Sequence, residues 1–197
     1  MFALIENQQI TKFYSGNKGV TLGDIQYPRS IFTLWSEAER NAIGIFEVTV
    51  DTTNKKDEQW YNNTNISYGV ESNKAVGSYG SATPKLLEDR NETNKDGSPM
   101  LDADGNQVVT KGLKSQKKDI IKQQAAGILQ DTDWYITRKA DAGTAVPSAV
   151  TTHRAAVRTK SNEMETSIDN ASDVDALATL YEYVNTGTEE NPVMERP

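Results

Sequence analysis

The chain has 197 residues, 36% of them hydrophobic, and carries 21 lysines and arginines against 28 aspartates and glutamates, a formal net charge of −7. That length is enough for one or two modest domains with a core, whereas the acidic balance argues against a nucleic-acid backbone or an anionic membrane surface as the main partner, since both reward clustered basic residues. The absence of cysteine removes disulfides, a thiol nucleophile and cysteine-based zinc sites, and the opening MFALIENQQI has neither the basic region nor the apolar length of a signal peptide or membrane span.

Taken in order, Phe2 to Ile5 and Ile10 to Tyr14 flank the polar turn Asn7-Gln8-Gln9 and predict a hairpin. Ser36 to Asn41 predicts a short helix capped by Ser36, with Glu39 at its third position, Trp35 as a staple in front and Gly44 as the stop. Ile45 to Val50 alternates apolar and polar as a half-buried strand does. Trp60 to Glu71 and Ala75 to Thr83 predict a second hairpin around Ser72-Asn73-Lys74, with Tyr68 and Tyr79 as aromatic partners. Residues 1–85 therefore read as a small β-rich N-terminal domain. The four Asn-x-Ser/Thr sequons, at Asn62, Asn65, Asn91 and Asn170, read as polar surface.

Residues 86–112 are polar and turn-rich, with Asp96-Gly97 and Asp104-Gly105, and predict a linker or exposed arm holding at most a small hairpin. A calcium loop starting at Glu92 or at Asp102 fails on spacing, because Ala103 and Leu113 stand where the bidentate glutamate belongs. No metal or cofactor is expected.

From Leu113 the period becomes helical. Ile120, Ile121, Ala125, Ile128 and Leu129 share one face of a helix over about 115–130, with Lys114, Lys117, Lys118 and Lys122 as a solvated opposite side. The chain then breaks at Asp131-Thr132-Asp133-Trp134. A second helix starts at Pro147 or Ser148 and runs to about Ile168 with Val150, His153, Val157, Met164 and Ile168 as its stripe, and a third covers about 173–184, capped by Ser172 with Asp175. Trp134 is expected to plug the wedge between antiparallel helices. The fold class is α+β: the β-rich N-terminal domain, then a helical C-terminal hairpin or three-helix region over 113–185, then an acidic tail, 186–197, ordered only when a partner holds it.

Leu129, Thr132, Asp133 and Trp134, followed by a proline-led helix with His153-Arg154 and Val157-Arg158, resemble the C-terminal region of bacteriophage tail fibre assembly proteins and similar small phage tail proteins. Met1 to Asn7, Tyr27-Pro28-Arg29 and Ala42 to Ile45 are similar to the opening domain of that group, and Lys111 to Gln116 with Ser161 to Tyr181 to its longer, marine-phage form. His153 departs from the pattern, standing where the family has tyrosine or another aromatic. The resemblance implies a non-enzymatic virion component, made in the host cytoplasm, that attaches or organises tail fibres in an oligomeric assembly with other phage tail or tail fibre proteins. A transient assembly chaperone is the alternative it leaves open.

The candidate partner interface is Trp134, Arg154, Val157 and Arg158, the two arginines standing one turn apart and able to fork onto carboxylates. No catalytic residue is assigned. The single histidine lies on an apolar stripe, and neither Asp131 with Asp133 nor Glu163 with Glu165 has a glycosidase spacing. A carbohydrate-binding module is a further alternative, resting on Trp35, Trp60, Tyr61, Tyr68 and Tyr79. It requires those rings in one exposed patch, whereas a protein-binding component buries them and exposes an apolar helical stripe.

Overall fold

The structure, a computed structural model, describes residues 1–186, 189, 194 and 195. It is an α+β chain with a β-rich first half and a helical C-terminal region, and it divides into two compact units, Met1–Thr83 and Pro84–Pro197.

In the first unit β1 (Phe2–Glu6) and β2 (Gln9–Tyr14) form the predicted antiparallel hairpin. A second small hairpin pairs β3 (Val20–Leu22) with β4 (Ile25–Tyr27). A 3-10 turn over Arg29–Phe32 leads to α1 (Glu37–Ala42), then β5 (Ile45–Asp51). The capping box of α1 closes on both limbs: Glu39 N donates to Ser36 Oγ at 3.3 Å and Ser36 N to Glu39 Oε2 at 2.8 Å. Gly44, at φ 81°, stops the helix, its N–H donating to Asn41 O at 3.0 Å.

The expected strand from Trp60 to Glu71 is interrupted. It gives β6 (Tyr61–Asn62) and β7 (Ile66–Glu71), because Asn63 turns aside and clamps the Lys56 backbone, accepting from its N–H at 2.9 Å and donating to its carbonyl at 2.7 Å. β8 (Lys74–Tyr79) follows, and β9 (Thr83–Pro84), in which the division between the units falls, is laddered with β6.

The main sheet has the order β2-β1-β5-β8-β7, with β5 and β8 parallel and the other pairs antiparallel. Both hairpins turn through two non-glycine residues at positive φ, Asn7 and Gln8 at 51° and 63° and Ser72 and Asn73 at 48° and 59°, as type I′ turns require. The sheet curls until its edges meet. Gln8 Nε2 donates to Asn73 Oδ1 at 2.9 Å, and Phe13 on β2 packs edge-on against Tyr68 on β7 at 4.9 Å. Tyr68 thus pairs with Phe13 and not with the predicted Tyr79, since the register sets it opposite Gly77. A Cβ at Gly77 would come within 2.8 Å of the Tyr68 ring, so a side chain there would displace that ring. The other face of the sheet carries the core: Ile45 with Val20, Ile31 and Phe32, flanked by Phe2, Leu4, Tyr14, Tyr27 and Trp35.

In the second unit the arm is more than a linker. β10 (Arg90–Asn91) pairs with β11 (Val109–Thr110), and between them two turns bring three strands into a ring in which Met100 N donates to Glu92 O, Glu92 N to Val108 O and Val108 N to Met100 O. Gln107 Nε2 fills its centre, reaching the carbonyls of Glu92, Met100 and Val108 at 2.7, 3.1 and 3.0 Å. The segment before the arm caps the next helix: the amides of Leu113 and Lys114 donate to Leu86 O and Leu87 O, and Gly112 N to Asp89 Oδ1 at 2.8 Å. The bond from Gly112, with a second from the Ser115 side chain, holds the Asp89 carboxyl below the usual aspartate range.

The helices are α2 (Leu113–Gln130), α3 (Asp133–Ala142), α4 (Ser148–Asn170) and α5 (Val174–Thr179). The three expected are therefore four. The supposed break is a tight junction at Asp131 and Thr132, after which α3 begins at once and ends at Ala142, with Gly143 at φ 66° as its cap. α5 is shorter than expected and is capped by Asp173, whose carboxylate accepts from Ala176 N at 2.8 Å, not by Ser172. Of the predicted tail, residues 187, 188, 190–193, 196 and 197 lie outside the described ones, while β12 (Val184–Asn185) pairs with β13 (Met194–Glu195).

Candidate functional site

The seam between α2 and α4 decides where the candidate residues stand. The two helices pack antiparallel, Lys114 and Lys118 of α2 reaching Asp169 of α4 and Lys122 reaching Glu165. α4 turns Val150, Arg154, Val157, Ser161, Glu165 and Ile168 inward, a three-and-four spacing that keeps one stripe on a neighbouring helix. His153 and Met164, expected in that stripe, are exposed.

Of the four lysines expected on a solvated side, Lys122 is exposed, whereas Lys114 and Lys118 are drawn into the seam. Lys114 is 8% exposed, its Nζ donating to Glu88 Oε1 at 2.6 Å and Asp169 O at 2.9 Å, and Lys118 Nζ meets Asp169 Oδ1 at 2.7 Å. Lysine stems are apolar enough to line a helix seam while the ammonium reaches a carboxylate beyond it. The hydrogen bond to Asp169 holds the Lys118 ammonium above its ordinary value. With lysines on the seam, Ile120 and Ile128 stay outside it, 46% and 51% exposed.

Arg154 is the pin of the helix junction. Its Nη1 donates to Leu129 O at 2.7 Å, the carbonyl end of α2, and to Thr132 Oγ1 at 2.6 Å, while Nη2 meets Asp133 Oδ1, in the first turn of α3, at 2.8 Å. A planar guanidinium can serve these acceptors at once. At 6% exposure Arg154 is committed within the chain, so the expected two-arginine fork is reduced to Arg158, which is exposed. Val157 is half-buried in the seam.

Trp134 does not plug the wedge. Arg154 occupies that junction, and Trp134, on the first turn of α3, is 51% exposed, its ring 3.8 Å from that of Tyr135 with the Arg138 guanidinium 4.7 Å above it. No residue of α3 is buried, and Ile136 is 43% exposed. The candidates thus fall on two sides: Arg154 and Val157 face the seam, Trp134 and Arg158 face solvent. The sequence reading missed Thr132 as a ligand of Arg154, and Tyr135, Ile136 and Arg138 as companions of Trp134. Asp133 at the first position and Gly143 at the end were the available signals of that helix.

In the first unit Trp60 and Tyr61 are buried at 6% and 8%, and Trp35 packs edge-on against Tyr27 at 5.9 Å, so of the five rings proposed for sugar binding only Tyr68 is exposed, at 41%. Among the described residues, no group of three or more His, Cys, Asp or Glu is placed to hold a metal ion, and no helix is long and apolar enough to cross a membrane. No protein family, curated protein or solved structure matches the chain.

Proposed function

We propose that the protein is a structural component of a bacteriophage tail that attaches or organises tail fibres through protein-protein contacts. The observation that carries this reading is the apolar surface that the helical unit leaves open: Ile120, Ile128, Trp134 and Ile136 are each more than two-fifths exposed. Trp and Arg dominate the energetics of protein interfaces, and Trp134 beside Arg138 offers that pair on a helix that buries nothing else. The burial of Trp60 and Tyr61 favours this over carbohydrate binding, which stacks sugars on open rings.

Mass spectrometry of purified mature particles tests it, with the chain counted against the major capsid protein. A fixed ratio set by the symmetry of the tail supports a resident component. Presence in infected-cell lysate without presence in particles would replace it with the transient chaperone.

A further inference from the structure

The two turns of the arm repeat one backbone and differ in one tether. Asn94 N donates to Ser98 O at 2.8 Å, and Asp102 N to Asn106 O at 2.8 Å. Each turn holds an Asp-Gly pair in the same place, and Gly97 and Gly105 both lie at φ 84°. Each glycine N–H donates back to the first residue of its turn, Gly97 to Asn94 O at 3.0 Å and Gly105 to Asp102 O at 3.1 Å. A Cβ at either glycine would meet nothing within 4 Å.

An Asp-Gly pair can rearrange without an enzyme, because glycine leaves the path to its own nitrogen unobstructed. The amide nitrogen attacks the aspartate Cγ, the carboxyl hydroxyl departs as water, and a five-membered succinimide forms. Water then adds to one of the two ring carbonyls. The ring reopens as aspartate or as isoaspartate, in which the main chain runs through the side-chain carboxyl carbon. One water is lost and one regained.

In the first turn the attack is obstructed. Asp96 Oδ1 accepts from Ser98 N at 3.0 Å and from Ser98 Oγ at 2.7 Å, and that hydroxyl in turn accepts from Asn94 Nδ2 at 3.0 Å. The Asp96 Cγ cannot swing over Gly97 N until both bonds to Ser98 open. In the second turn the first residue does the tethering: Asp102 Oδ1 accepts from Asp104 N at 2.9 Å and Asn106 N at 2.8 Å. The Asp104 carboxylate is exposed and has no hydrogen-bond or ion-pair partner among the described residues. We infer that Asp104-Gly105 is a site of spontaneous succinimide and isoaspartate formation, and that Asp96-Gly97 is its protected twin. The backbone hydrogen bond at the glycine is common to both turns, so the free carboxylate decides between them.

The test incubates the folded full chain in ¹⁸O-water at physiological temperature and pH. Digestion with trypsin in ordinary water releases residues 96–111 as one peptide, and electron-transfer fragmentation locates label and isoaspartate within it. Asp104 is expected to take up label at least about fivefold faster than Asp96, since even one of the two bonds that must open provides about that factor at ordinary net strength. Ser98→Ala raises the Asp96 rate and leaves Asp104 unchanged, and in denaturant the two rates converge. Equal rates in the folded chain, faster labelling at Asp96, or no label at Asp104 under conditions where the denatured chain takes it up would each overturn the assignment.

Discussion

The cluster around Ile31 and Ile45 and the seam between α2 and α4 bury side chains by different means. The first closes apolar groups on one another: Ile31 and Ile45 are wholly buried, and Phe2 lies 4.7 Å from Phe32. A buried charged residue beside it, Arg40, covers the Phe2 ring and donates to Trp35 O. The seam also buries Ile121 and Ile168, but beside them it carries Lys114, Lys118, Arg154 and Glu165, and it leaves Ile120 and Ile128 outside. An apolar core is non-directional and tolerant of small shifts, whereas a polar seam holds only while each donor keeps its acceptor. The cluster in the head therefore rests on volume, whereas the helical unit adds to its buried Ile121, Ile168 and Leu177 a set of polar contacts that depend on geometry. What the helical unit does not bury it has available for contact.

Breaking the first term has the largest effect. Ile45→Ala, at a fully buried position, is expected to cost about 3 kcal/mol through lost transfer energy and the cavity left behind, measured by chemical denaturation with a probe in the first unit. Arg154→Ala is expected to cost less, about 2 kcal/mol, because hydrogen bonds from a charged group to Leu129 O and Thr132 Oγ1 are lost. The Asp133 contact adds little to that figure, since that carboxylate is 58% exposed and screened by water. The sharper reading is local: amide exchange of α3 should quicken, and Arg154→Lys should not restore it, because one ammonium cannot span the same acceptors. Unchanged exchange in α3 would remove Arg154 as the pin of the junction.

Acid separates the two units in another way. Asp89, Glu92, Asp96 and Asp102 in and beside the arm all have their carboxyls held below the ordinary range, each chiefly by hydrogen bonds: from Gly112 to Asp89, Thr110 to Glu92, Ser98 to Asp96 and Asn106 to Asp102. In the head the same holds for Glu39, through Ser36, and Asp51, through Thr53. A carboxyl with a lowered folded pKa contributes stability that is present above its unfolded value and is lost as pH falls through the folded one. The arm, where each turn closes on such a carboxylate and little apolar surface is buried, is therefore expected to open first below about pH 4. Amide exchange at Ser98, Asn106 and Gly112 should rise there while that of Ile45 and Ala75 stays slow. Simultaneous loss in both regions would contradict it.

The parts legible in the sequence were those governed by neighbours along the chain. The hairpin of β1 and β2, the capping box at Ser36 and Glu39 and the stop at Gly44 depend on residues within a few positions, and the α+β order follows from the change of period at Leu113. The parallel pairing of β5 with β8 and the pairing of Phe13 with Tyr68 depend on where the sheet curls, which no local pattern records. The lysines of α2 misled for a related reason. Periodicity assigns charged residues to solvent, and only the position of Asp169 on the facing helix and of Glu88 before α2 turns Lys114 and Lys118 inward. Trp134 and Arg154 exchanged their expected places: the tryptophan suited a wedge by size, but the carbonyl end of α2 meeting the first turn of α3 needs donors, and Arg154 supplies them.

The smallest expected change in stability is the one that bears most on function. Trp134→Ala should alter the folding free energy by about 1 kcal/mol or less, since the ring is half in solvent and its contact with Arg138 is a cation-π pair of the exposed kind. If Trp134 instead belongs to the inside of the helical unit, the loss should approach that of Ile45→Ala, and denaturation curves of the two variants compared side by side would reveal it. A tail component that docks through α3 should lose about 2 kcal/mol of association from the same substitution, the loss expected of an interface hot spot, read as reduced incorporation of the variant into particles. A ring that is dispensable for folding and required for assembly would separate the two units by what their aromatic side chains are for: Trp60 and Tyr61 hold the head together, and Trp134 joins the chain to something else.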